Sequence, residues 1–206
     1  MLLKIYPDHP NDKAIRQVVE CLKDGGVIIF PTDTVYALGC DIHQHKAVEN
    51  LCRIKDVKLE KSNFSFICFD LSHISDYTQQ FDREVYKLMR STLPGPFTFI
   101  LNASNNVPHL FKFKKKTIGI RVPDNNIARE IVKELSNPIM STSLHNDDDI
   151  MEYHTDPDLI FEEYGNLVDM VIDGGMGGIE VSTIIDCTIS PPTLIRQGKG
   201  VVDFMK

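Results

Sequence analysis

Apolar positions along this chain follow two spacings, one helical and one strand-like. Ile15, Val18, Val19 and Leu22 recur at helical spacing after Asn11, an N-cap residue type, so a helix is expected from Asn11 to Leu22, stopped at Asp24-Gly25-Gly26. Val27-Ile28-Ile29-Phe30 is apolar at every position, as in a strand covered on both faces. The same reading predicts a helix over 46–54 with Val48, Leu51 and Cys52 inward, then a strand over 64–69. A helix over 82–90 with Val85, Leu88 and Met89 on one face is broken by Pro94-Gly95-Pro96, which launches a strand over 97–101. A strand over 117–123 leads to a helix capped by Asp124 and carrying Ile127, Ile131, Val132 and Leu135. Pro138-Ile139-Met140 runs into Ser141-Thr142-Ser143 as a strand, and Asp147-Asp148-Asp149 reads as a loop. A helix near 157–164 and strands over 170–172 and 183–186 complete the pattern. Alternating strands and helices give an α/β (α+β) class: a single domain over 1–206, with a twisted mixed sheet and flanking helices.

Hydroxyl groups gather at the ends of these strands. Pro31-Thr32-Asp33-Thr34-Val35-Tyr36-Ala37-Leu38-Gly39 follows the first buried strand, and Ser141-Thr142-Ser143 and Ser182-Thr183 are similarly placed. Ligands of open α/β sheets bind beyond strand ends, and hydroxyls donate to small anions without adding bulk, although one such turn alone also fits plain turn chemistry. Arg121 stands between Ile120 and Val122, so period two puts it on the face opposite both. A cation there needs an anion: a ligand carboxylate or phosphate, or a structural pair with Asp33 or Asp186. Arg196 suits bidentate contact with phosphate or carboxylate and equally suits a surface ion pair. Asp173-Gly174-Gly175-Met176-Gly177-Gly178 lacks the P-loop pattern and reads as a flexible turn.

Composition narrows the classes. The net charge of −7 opposes general attraction to nucleic acid, so no DNA partner is expected, and phosphate binding must be local. Lys112, Lys114, Lys115 and Lys116 form one basic cluster, which fits either an RNA backbone or a solvated surface. No apolar run approaches the roughly 18 residues that span a bilayer, and the N-terminus lacks a signal-peptide pattern. Five cysteines without a C-x-x-C pair read as reduced thiols, so a cytoplasmic protein with no membrane partner is expected. His43 and His45 lack a third ligand at metal spacing, no metal site is expected, and no Ser-His-Asp order or G-x-S-x-G elbow offers a nucleophile.

Taken together, these segments resemble the YrdC-like family of threonylcarbamoyl-adenylate synthases, particularly its YciO branch. The resembling pieces are the stretch over 25–41, Pro-Gly-Pro-Phe-Thr-Phe-Ile-Leu, Gly-Ile-Arg-Val-Pro-Asp, Pro-Ile-Met-Ser-Thr-Ser, Ser-Thr-Ile-Ile-Asp and Ile-Arg-Gln-Gly-Lys-Gly, in family order from about residue 10 to 203. The resemblance implies a YrdC-like fold with a concave basic cleft and a nucleotidyltransferase-type enzyme. Its substrates would be ATP, threonine and bicarbonate, with Mg²⁺ accompanying the ATP, in tRNA N6-threonylcarbamoyladenosine metabolism. It implies that Thr34, Arg121, Ser141 and Ser182, joined by Thr32 and Tyr36, hold a threonine-like ligand, with Arg121 on its carboxylate. Lys55, Thr117, Ser143 and Arg196 would hold the nucleotide. Such a site would work by positioning and charge stabilisation, with no covalent catalytic residue.

Three departures accompany the resemblance. Where synthases carry Lys-x-Arg and Ser-x-Asn, this chain reads Lys55-Asp56-Val57 and Ser143-Leu144-His145, and Ala37 stands where a Gly usually follows the tyrosine. Losing a guanidinium and gaining Asp56 weakens polyphosphate binding by like-charge repulsion. These changes leave an alternative: a paralogue with lost or redirected synthase activity that binds double-stranded RNA or tRNA through the lysine run.

Overall fold

Leu2–Lys4 form a short edge strand, β1, and the helix expected after Asn11 forms as α1 (Asp12–Lys23). Asn11 sets its start, its side-chain oxygen accepting from the backbone N–H of Lys13 at 2.9 Å and Ala14 at 3.3 Å. In this computed structural model the described residues are 1–59, 64–108, 111, 116–144 and 154–202. The chain continues through β2 (Val27–Phe30), β3 (Ala37–Asp41), α2 (His45–Ile54), β4 (Ser65–Ile67), α3 (Leu71–Tyr77) and α4 (Arg83–Thr92). Then come β5 (Phe97–Asn102), β6 (Thr117–Arg121), α5 (Asn126–Leu135), β7 (Ile139–Ser143) and α6 (Pro157–Tyr164). The strands β8 (Met170–Asp173), β9 (Thr183–Asp186) and β10 (Thr193–Arg196) close it.

Among the described residues, ten strands join one mixed sheet in the order β1-β8-β2-β3-β7-β4-β6-β5-β9-β10. The expected single α/β domain is therefore what forms. Period two divides the core across it. Ile28 and Phe30 pack with Val18, Leu22, Ile131 and Leu135 of α1 and α5, while Val27 and Ile29 face Val48, Leu51 and Ile160 of α2 and α6. Both faces of β2 are covered, which is why its sequence shows no polar alternation.

Some elements differ from the sequence reading. The stretch read as one hydroxyl-bearing loop supplies β3 from Ala37 onward, paired antiparallel to β2 with Phe30 opposite Ala37. The expected strand over 64–69 shortens to β4, and the cap of α5 is Asn125, whose side chain accepts from Ala128 N–H at 3.1 Å. Asp124 turns its own N–H to Asp33 instead. β1, α3 and β10 gave no periodic signal: β10 is exposed at all four positions and α3 buries only Ile74. The acidic loop over 147–149 lies outside the described residues.

The uneven cover of the sheet makes room for a site. The cluster on the α1/α5 face draws residues from β8, β2, β3, β7 and β4, but none from β6, β5, β9 or β10. Where that cluster ends, small side chains stand on the same face. Ser141, Ser65 and Gly119 stand opposite one another across β7, β4 and β6, with no bulky side chain among them.

Candidate functional site

A cavity of about 430 Å³ occupies this bare part of the sheet. Its floor is the row of small residues, and its walls include Thr34, Arg121, Ser143, Thr98, Ser182 and Arg196. Ile100, Ile118, Ile184 and Ile195 line it as well, so a polar, cationic lining lies beside an apolar one. The lining suits a small anionic ligand with an apolar portion.

Arg121 is the centre of its electrostatics. The residue is 8% exposed, and Ile120 and Val122 on either side of it are buried in the opposite core cluster, as strand periodicity predicts. Its Nη2 donates to Asp33 Oδ1 at 3.0 Å and to Thr34 Oγ1 at 2.9 Å. Of the two pairings the sequence left open, Asp33 is the partner; Asp186 Oδ1 instead accepts from the hydroxyl and N–H of Thr188 at 2.6 and 2.9 Å. Asp33 Oδ2 accepts the Asp124 N–H at 3.1 Å, and the Asp33 carbonyl accepts from Lys199 Nζ at 2.6 Å. Burial lowers the Arg121 pKa from its ordinary value, against the pull of Asp33, and nearby Arg196 adds to the lowering. Nη2 is fully used, whereas the buried Nε has no hydrogen-bond partner among the described residues. An orphaned donor on a buried guanidinium costs free energy until an acceptor reaches it.

The opposite wall is tied together by Ser182. Its hydroxyl lies 2.8 Å from that of Thr98, and its carbonyl accepts from Arg196 Nε and Nη2 at 3.2 and 2.9 Å. A register shift between Leu194 and Arg196 in β10 accompanies this placement, putting Ile195 and Arg196 both on the cavity wall. Ser141 and Ser143 reach the cavity as alternate residues of β7, and Thr117 as the first residue of β6.

Three expected site residues stand outside the cavity lining. Thr32 donates its hydroxyl to the Val35 carbonyl at 2.7 Å, holding the connection between β2 and β3. Tyr36 is fully buried, and its hydroxyl donates to the Gly175 carbonyl at 2.7 Å while accepting the Gly174 N–H at 3.2 Å. Lys55 donates Nζ to the Leu144 carbonyl at 3.2 Å. Of the lysine cluster, Lys116 is exposed, and Lys112, Lys114 and Lys115 lie outside the described residues, as does His145.

The glycine-rich turn after β8 is a clasp. Gly178 N–H donates to the Thr34 carbonyl at 2.9 Å, and Gly177 N–H to the Thr155 carbonyl at 2.7 Å. A Cβ on Gly177 would lie 2.7 Å from the Tyr36 ring. Of the N–H groups that a phosphate cradle would offer, that of Gly178 is spent on the cavity wall and those of Gly174, Gly175 and Gly177 on Tyr36, Asp173 and Thr155. Replacing Tyr36 by Phe removes both of its bonds to the turn and should lower stability by about 1–3 kcal/mol, read as a lower urea midpoint at unchanged slope. Thr98 and Ser65 are cavity residues that the sequence reading passed over; their only signal is the alternation of large and small side chains in Phe97-Thr98-Phe99 and Ser65-Phe66-Ile67.

A family model covering Sua5, YciO and YrdC, described as "Telomere recombination", matches residues 20–198. The chain belongs to the Sua5/YciO/YrdC family. It is 41% identical over 199 residues to the uncharacterized protein YciO of Escherichia coli K12, covering 96% of this chain and 95% of that one. The crystal structure of E. coli YciO superposes with a TM-score of 0.89 at 40% identity over 98% of this chain and 97% of that one. The threonylcarbamoyl-AMP synthase of Coxiella burnetii is 32% identical over 165 residues, 80% of this chain and 87% of the synthase. Sua5 of P. abyssi, solved in complex with L-threonine, shares the fold at a TM-score of 0.86 and 24% identity, over 96% of this chain and 57% of that one. The chain is thus related to the threonylcarbamoyl-AMP synthases, and the expected YrdC-like architecture is the one it adopts. Among the described residues no helix is long and apolar enough to cross a membrane. Val57, one of the departures from the resemblance, is 40% exposed just after Asp56, whose φ of 50° is left-handed.

Proposed function

We propose that the cavity binds threonine and a nucleotide and that the protein is a threonylcarbamoyl-AMP synthase-type nucleotidyltransferase acting in tRNA modification. The observation that carries this reading is Arg121: a buried guanidinium on a cavity wall, pinned through Nη2 and left with an Nε that has no partner among the described residues. The kinship with the C. burnetii synthase and with a Sua5 solved with L-threonine supports the choice of ligand. Arg121 would take the threonine carboxylate, with Thr34, Ser141 and Ser182 around it. Arg196, Ser143 and Thr117 would face the nucleotide, with Lys55 beside them. Pre-set donors in a partly dry cleft stabilise developing charge without reorganising, so no covalent nucleophile is needed. Among the described residues no group of three His, Cys, Asp or Glu gathers to hold a metal. Mg²⁺ would therefore ride on the ATP phosphates, screening their charge.

Purified protein given ATP, L-threonine, bicarbonate and Mg²⁺ should release pyrophosphate only when all are present. Absence of release, with no heat on titrating either ligand, would remove this reading. Val57 and His145 should make the rate low, because a guanidinium is missing beside the phosphates. The double variant Val57→Arg/His145→Asn is expected to raise release roughly tenfold, the value of one charge-assisted contact; an unchanged rate clears those two positions of blame.

A further inference from the structure

The hydroxyl of Thr34 has a fixed proton direction, and Thr32 sets it. Thr32 carries a single hydroxyl hydrogen, and it donates that hydrogen to the Val35 carbonyl at 2.7 Å. The 3.0 Å contact between the Thr32 and Thr34 hydroxyls must then run the other way, with Thr34 as donor. Thr32 Oγ1 also accepts the Thr34 N–H at 3.1 Å, so its hydrogen-bonding capacity is filled. Thr34 has spent its hydrogen on Thr32 and one lone pair on Arg121 Nη2. What remains on Thr34, a residue of the cavity wall, is one acceptor lone pair.

We propose that Thr32 is a positioning residue that holds Thr34 as an acceptor, so that Thr34 receives an N–H of the α-amino group of an amino-acid ligand whose carboxylate lies on Arg121. The inference rests on the amino-acid reading of the cavity and adds the ligand's orientation to it. Thr34 and Arg121 touch each other, so the ligand groups they meet must be close neighbours. In an α-amino acid the amino nitrogen and the carboxylate carbon share one carbon, whereas the threonine hydroxyl lies one carbon further away. An oxyanion at Thr34 would face a lone pair and be repelled. The arrangement therefore separates the two ends of the ligand, donor to Thr34 and acceptor to Arg121.

Calorimetric titration with L-threonine and with 3-hydroxybutyrate, its deaminated analogue, tests this directly. The parent protein should prefer threonine by about tenfold, the worth of one hydrogen bond to a charged group. Thr32→Val keeps the shape but frees the Thr34 proton to turn toward the cavity. That variant should bind threonine more weakly, leave 3-hydroxybutyrate affinity unchanged, and bring the two within about threefold as the charge-assisted bond is lost. Thr32→Ser, which retains the acceptor, should restore the preference. A Thr32→Val protein that keeps the parent's preference, or that loses affinity for both ligands equally, overturns the proposal while leaving the cavity's ligand class intact. Parent protein that binds the two ligands equally also overturns it. Parent protein that binds neither removes the amino-acid reading itself and this inference with it.

Discussion

Arg121→Ala should lower unfolding stability by about 3–5 kcal/mol and abolish threonine binding, because it strands a buried carboxylate as well as deleting a ligand contact. Asp33 and Arg121 expose only 7% and 9% of their side chains, so neither charge is hydrated when its partner goes. Asp33 retains the Asp124 N–H, which offsets part of the loss. Arg121→Ala/Asp33→Asn should therefore be more stable than Arg121→Ala alone, since the second change removes the uncompensated charge. Arg121→Lys is expected to keep the fold, because an ammonium can still face Asp33. It loses the planar fork, and threonine affinity should fall roughly tenfold to a hundredfold. Chemical denaturation and calorimetry on the four proteins read both effects. Equal stability of the single Ala variant and the double variant would show that Asp33 is not held by this pair.

Gly178→Ala is the second large effect, and it acts through backbone rather than charge. A Cβ at 178 would lie 2.6 Å from the Thr34 carbonyl oxygen and 3.2 Å from its carbon. No side chain is there to swing away, so the cavity segment itself must shift. Displacing the contacts around Thr34 by a few tenths of an ångström should weaken threonine binding by about tenfold or more, given how steeply positioning falls off with distance. Gly175→Ala provides the contrast. Its Cβ would meet nothing within 4 Å, but its φ of +92° strains any L side chain. That variant should lose stability by about 1 kcal/mol while binding threonine nearly normally. If the two variants bind alike, the turn does not hold the cavity wall.

These two cases also mark what was legible in the sequence. Arg121 announced itself, because a cation between Ile120 and Val122 has one face available and needs an anion there. The strand-end hydroxyls Thr34, Ser141, Ser143 and Ser182 were legible for the same reason, since their neighbours show which face is apolar. Thr32 and Tyr36 were not separable from Thr34. All three are hydroxyls in one short stretch, and only the path of the chain turns Thr32 toward Val35 and Tyr36 toward Gly175. The glycine-rich turn read as flexible because a clasp on Thr34 and Thr155 depends on contacts more than twenty residues away along the chain. Asp33 passed as a possible structural partner, and its bond to the start of α5 had no local signature. β10 lacks a buried face, so no period marked it, yet it carries Arg196 to the cavity.

A crystal structure of the protein grown with L-threonine and a non-hydrolysable ATP analogue with Mg²⁺ tests the central claim most directly. The threonine carboxylate should lie within hydrogen-bond distance of the Arg121 Nε or Nη1 donors, with the nucleotide phosphates toward Arg196 and Ser143. Both ligands found elsewhere on the protein, or a cavity holding only water at saturating ligand with Arg121 still joined to Asp33 and Thr34 alone, would contradict it.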